Sequence, residues 1–81
     1  MKSSDILLSL NSGRLSVWEA QGHVCVYYED APVVDGPFLH YVFGRGHTFE
    51  EACDDYLRLI RGKTLRFKTY SGKSREVTVL G

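Results

Sequence analysis

The chain has 81 residues, with ten acids, ten bases and a formal net charge of zero, which bounds it to one small domain with a modest core. Apolar residues make up 43% and charged residues 25%, so the chain is not compositionally disordered. No run reaches the ~20 apolar residues of a membrane span, and a soluble cytoplasmic protein is expected.

In chain order, MKSSDILLSL (1–10) carries Asp5 inside a short apolar run, which argues against a signal peptide. Ser3 or Ser4 is expected to cap a short helix with Ile6, Leu7 and Leu10, stopped at Asn11-Ser12-Gly13. LSVWE (15–19), a turn at Gln21-Gly22 and HVCVYY (23–28) read as a β-hairpin. EDAPVVDGP (29–37) reads as a loop, because two prolines break pairing and Asp35-Gly36 signals a turn. FLHYVF (38–43) is nearly continuous apolar and aromatic, so a central strand is expected there, with His40 packed within it.

GHTFEEACDDYL (46–57) is the most informative stretch. Thr48 followed by Glu51 makes a capping box. Phe49, Ala52, Cys53, Tyr56, Leu57 and Ile60 form one helical stripe, and Gly62 terminates it. Asp54 stands four residues before Arg58, the favourable order for an ion pair. The structural reading of the carboxylates is helix start and solvated face. The functional reading is an acidic docking face made by Glu50, Asp54 and Asp55. A carboxylate metal site is disfavoured, since no histidine follows a carboxylate by three or four residues within the helix.

TLRFKTY (64–70), a turn through Ser71-Gly72-Lys73 and REVTVL (75–80) read as a second hairpin. Alternation points Leu65, Phe67, Val77 and Val79 to the core and Arg66, Lys68, Glu76 and Thr78 outward. The order α-β-β-β-α-β-β predicts an α+β fold: a two-layer sandwich of about five mostly antiparallel strands and one main helix. A parallel pair across residues 38–69 is the open alternative.

Charge is segregated along the chain. Residues 29–55 hold seven acids and one base, and residues 58–75 hold seven bases and no acid. This marks two candidate surfaces, the acidic helix face and a basic hairpin carrying Arg66, Lys68, Lys73 and Arg75. Should the helix cover one sheet face only, those bases stand beside aromatics such as Trp18 and Tyr27. That is the stacking-plus-phosphate arrangement used on single-stranded nucleic acid. A second copy of the chain is the alternative cover.

Catalytic signals are weak. FGRGHTF (43–49) puts Gly44-x-Gly46 where a phosphate loop would lie, but the third glycine position is Phe49 and no G-K-[ST] follows. Glu50 and Glu51 would repel a phosphate there, so these glycines are expected to serve loop torsions. Cys25 and Cys53 lack metal-ligand spacing and are expected as free buried thiols. No catalytic residue, metal or cofactor is expected, and the chain is not read as an enzyme.

VYYEDAP (26–32) together with GHTFEEACDDYL resembles HicB-type antitoxins, which have a strand ending in an acid and a proline and then a G-x-T-x-E-E-A helix start. The matching positions are Tyr28, Pro32, Gly46, Thr48, Glu50, Glu51, Ala52 and Leu57. The resemblance covers about a third of the chain and implies a small α+β sandwich that neutralises a partner toxin. Two departures are the inserted FLHYVF and a chain ending in a hairpin rather than a DNA-binding element. In its small, motif-poor character the chain is also similar to phage proteins that inhibit host proteins, anti-CRISPR factors among them. The leading expectation is a non-enzymatic binding or inhibitor module, homodimeric and acting through a protein partner. The alternative is single-stranded nucleic-acid binding through Arg66, Lys68, Trp18 and Tyr27.

Overall fold

A computed structural model describes residues 2–10, 14–68 and 73–80. Its elements run α1 (Ser3–Leu10), β1 (Ser16–Ala20), β2 (His23–Tyr27), β3 (Val33–Asp35), β4 (Phe38–His40), β5 (Gly44–Gly46), α2 (Phe49–Ile60), β6 (Thr64–Lys68) and β7 (Ser74–Thr78). The expected α+β architecture is present, and every strand pairing is antiparallel. The strands divide into two sheets, ordered β1-β2-β5 and β4-β3-β6-β7.

Two expectations are corrected by this division. The segment 29–37 is not wholly loop, because Val33–Asp35 pairs with both β4 and β6. Pro32, which has no N–H, is used only as an acceptor, from Arg66 N at 3.0 Å. The second correction concerns FLHYVF, which is not a central strand. Phe38–His40 is the edge of one sheet, and the chain then crosses to pair Gly44–Gly46 with β2 in the other. His40 is accordingly exposed rather than packed, and Phe38 is 71% exposed. An apolar run here marks a crossing between sheets rather than a buried strand.

The glycines of β5 explain why pairing resumes where it does. A Cβ at Gly44 would lie 2.3 Å from Ala52 O and from Tyr56 Cβ, and one at Gly46 would lie 2.6 Å from Ala52 N. Neither has a positive φ. They supply room for α2 to lie against the strand backbone, not the loop torsions expected from sequence. At the β1–β2 turn, by contrast, Gln21 (φ 52°) and Gly22 (φ 78°) are both left-handed, as a two-residue hairpin loop requires.

α2 follows the sequence closely. Thr48 Oγ1 accepts from Glu51 N at 3.1 Å, and Gly62 has φ 76° just past the helix end. Ala52, Cys53, Tyr56, Leu57 and Ile60 are buried. The core they enter includes Leu7 from α1, Val24 and Val26 from β2, and Leu65 and Phe67 from β6. Both sheets thus close on one helix.

A buried tyrosine pair joins the parts. Tyr28 donates its hydroxyl to Leu7 O at 2.5 Å, and Tyr56 Oη accepts the Tyr28 N–H at 3.1 Å. Their rings meet edge to face at 5.4 Å. Burial is the main cause that pushes the Tyr56 hydroxyl up to about 12, and the same cause raises Tyr28 further. Both remain neutral donors and acceptors throughout the physiological range.

α1 is tied down differently from expectation. The helix begins at Ser3, so Ser3 and Ser4 are in its first turn rather than capping it. Their hydroxyls donate to α2 instead, Ser3 to Asp54 at 2.5 Å and Ser4 to Glu50. The stop expected at 11–13 and most of the turn expected at 69–73 lie outside the described residues.

Candidate functional site

The acidic face of α2 is occupied by its own protein. Glu50 and Asp54 take the two serines of α1. Asp55 accepts the Arg45 N–H at 3.0 Å and the Arg58 guanidinium at 2.5 Å. Arg58 therefore pairs with Asp55, three residues away, rather than with Asp54 as the spacing suggested. The backbone hydrogen bond from Arg45, followed by that from Arg58, holds the Asp55 carboxyl below the usual carboxylate range. These carboxylates fasten α1 and β5 to α2.

The basic hairpin is also largely self-satisfied. Arg66 and Glu76 are cross-strand partners and form an ion pair at 2.9 Å. Thr64 and Thr78 share a 2.9 Å hydrogen bond in the next row. Arg75 lies over the Phe67 ring at 5.4 Å. Lys68 is exposed opposite Ser74, and Lys73 is exposed at the start of β7.

Trp18 and Tyr27 are on the other sheet. The single basic-and-aromatic face expected from sequence is thus divided between two sheets, because the chain changes sheet at residues 28–32. What the structure brings together instead is a grid on the face of β1-β2-β5 turned away from α2. Val24 and Val26 point to the helix, so Cys25 and Tyr27 point away from it. Register places Trp18, Cys25 and Arg45 in one row across the three strands. Ser16 is opposite Tyr27 in the next row, where the Phe43 ring meets Tyr27 edge-on at 4.9 Å. On the other side of the central row, Ala20 is opposite His23, whose ring stacks on His47 with centroids 5.3 Å apart.

Trp18 is 60% exposed and Phe43 43%, whereas Cys25 beneath them is 7% exposed. With Ser16, Val17, Tyr27 and Arg45 they line a cleft of about 470 Å³. β1 forms one edge of this sheet, with no strand on its outer side among the described residues. Sequence reasoning singled out Trp18 and Tyr27 but not Phe43 and Arg45, which line the same cleft. The signal was present: Phe-Gly-Arg-Gly-His at 43–47 alternates large residues with glycine at period two. It reads as a strand whose glycine side meets another backbone.

Cys53 is fully buried, and burial first, then Glu50 and Asp54, pushes its thiol up to about 11. Among the described residues, no three or more His, Cys, Asp or Glu side chains gather as metal ligands. No helix in the described residues is long and apolar enough to cross a membrane. Comparison with family models, curated proteins and solved structures returned no match. The resemblance to HicB-type antitoxins accordingly gives no family assignment.

Proposed function

We propose that this protein is a non-enzymatic binding module that engages a protein partner through the open face of β1-β2-β5. The observation that carries the reading is the grouping of Trp18, Tyr27, Phe43 and Arg45 around one cleft beside the edge strand of the described sheet. Trp, Tyr and Arg are the residue types that dominate interface energy when buried by a partner. An edge strand adds main-chain hydrogen bonds to those anchors. A second copy of the chain is one partner such a face accepts. Inhibition of a host or toxin protein fits the same surface.

The test is capture of partners by the tagged protein, compared between wild type, Trp18→Ala, Arg45→Glu and Arg66→Glu. The reading expects a bound protein that is lost with the first two variants and kept with the third. A partner lost only with Arg66→Glu would move the site to the other sheet. Sedimentation at several concentrations identifies a homodimer, which Trp18→Ala should dissociate.

Single-stranded nucleic acid is the second reading, favoured by a ring-bearing face with an arginine in its central row. It has the weaker support, because Arg66 and Lys68 are on the other sheet and Arg66 is held by Glu76. Anisotropy titration of a mixed-sequence oligonucleotide at two salt concentrations separates the two readings. Salt-sensitive binding abolished by Arg45→Glu would favour nucleic acid.

A further inference from the structure

The histidine pair beside the cleft is unused by the proposed binding function and has its own geometry. Val24 pairs with Gly46 and Cys25 with Arg45, so the next row sets His23 of β2 opposite His47, the residue after β5. Both residues are exposed. Their rings lie 5.3 Å apart and 29° from parallel. Neither imidazole has a hydrogen-bond or ion-pair partner among the described residues.

We propose that His23 and His47 chelate a late first-row transition-metal dication of the Cu²⁺, Ni²⁺ and Zn²⁺ class. Imidazole nitrogen suits these ions, and Cu²⁺ heads their affinity order. The spacing is right before any backbone movement. With a metal–nitrogen distance of ~2.0–2.1 Å, and ring nitrogens ~1.1 Å from the centroid, two imidazoles on a tetrahedral ion have centroids about 5 Å apart. The stacked pair stands close to that separation, and its cross-strand placement keeps both rings within reach of one ion once they turn their nitrogens toward it.

The ion would clamp the start of β2 to the end of β5, tying together the edge of the sheet that α2 supports. Its remaining positions are left to water, since no third protein ligand converges there among the described residues. Arg45 borders the same recess, and its like charge limits affinity.

The third histidine is the internal control, because His40 is on β4 of the other sheet. The full chain is titrated with Cu²⁺ while histidine ring signals are followed by NMR, and with Zn²⁺ by calorimetry. The proposal expects one ion per chain and paramagnetic broadening of His23 and His47 together, with His40 spared. His23→Ala and His47→Ala should each weaken binding at least about tenfold, the lower end of what even a lost supporting contact costs a metal site. His40→Ala should leave it unchanged. Both ligands are on the surface, so circular dichroism should show the variants folded. Equal broadening of all three histidines would overturn the proposal. So would affinity indifferent to His47→Ala, or one ion bridging two chains.

Discussion

The two sheets present outward faces of opposite character. On β4-β3-β6-β7 the outer rows complete themselves: Thr64 bonds Thr78, Arg66 bonds Glu76, and Lys68 is opposite Ser74. On β1-β2-β5 the outer rows leave Trp18, Tyr27 and Phe43 around a cleft with only Arg45 as a formal charge in its lining. A charged face is easily taken for the functional one. Here Arg66 and Glu76 answer one another across strands, and the cleft on the other sheet is lined chiefly by aromatic side chains.

The same contrast applies within α2. Its inner stripe holds the core, while its acids fasten α1 and β5. The carboxylates of α2 thus serve as a set of fastenings within the fold. The proposed binding surface is the face whose side chains the fold uses least.

The largest effect on this contrast should come from Gly44→Ala. The added Cβ would meet the α2 backbone at 2.3 Å, separating the helix from the aromatic sheet. A loss of about 3 kcal/mol or more is expected in urea unfolding, at or beyond the usual range for overpacking. A small loss would mean that α2 and β5 are less tightly joined than the geometry states.

Tyr56→Phe should rank next. It removes the acceptor of the buried Tyr28 N–H and is expected to cost about 1–3 kcal/mol. Amide exchange at Tyr28 should accelerate in parallel, which a generalised packing loss would not single out.

Acid should act on α2 through Asp55. Its carboxyl is held below its ordinary value in the folded chain, so its contribution is present above the unfolded pKa of about 3.9. That contribution is lost as pH falls through the lower, folded value. Asp55→Asn should therefore lower stability near neutral pH and flatten the acid limb of the unfolding curve. An unchanged acid limb would remove Asp55 from the fastening of β5.

The Arg66–Glu76 pair should matter least to folding among the polar contacts named. Both side chains are substantially exposed, and a double-mutant cycle should give a coupling of about 0.2–1 kcal/mol. Trp18→Ala should shift stability by only about 0.5 kcal/mol or less, the ordinary effect of a surface substitution. Its effect on partner binding should be large, about 2 kcal/mol or more if Trp18 is an anchor. That split between folding and binding is what separates the two sheets.

Local patterning made much of the fold legible. The capping of α2 by Thr48, its apolar stripe, the Gln21-Gly22 turn and the alternation of Leu65 and Phe67 each follow from short-range rules. The division into two sheets was not legible in the same way. FLHYVF has the composition of a buried strand, yet Phe38 and Leu39 are on an edge and Phe43 is on the open face. Composition reports affinity for a core, not which pairing partner a segment finds. The cleft lining was legible in the same partial way: Trp18 and Tyr27 stood out in the sequence, while Arg45 was concealed between two glycines read as loop.

The central claim is that the aromatic face of β1-β2-β5 is the surface that meets a partner. The most direct test is site-resolved photo-crosslinking in cell lysate, with a photoreactive side chain at position 18, 43, 68 or 74 in turn. A specific protein adduct from positions 18 and 43, absent from 68 and 74, is the predicted result. An adduct formed from 68 or 74 and not from 18 or 43 would contradict the account and assign binding to the self-paired sheet.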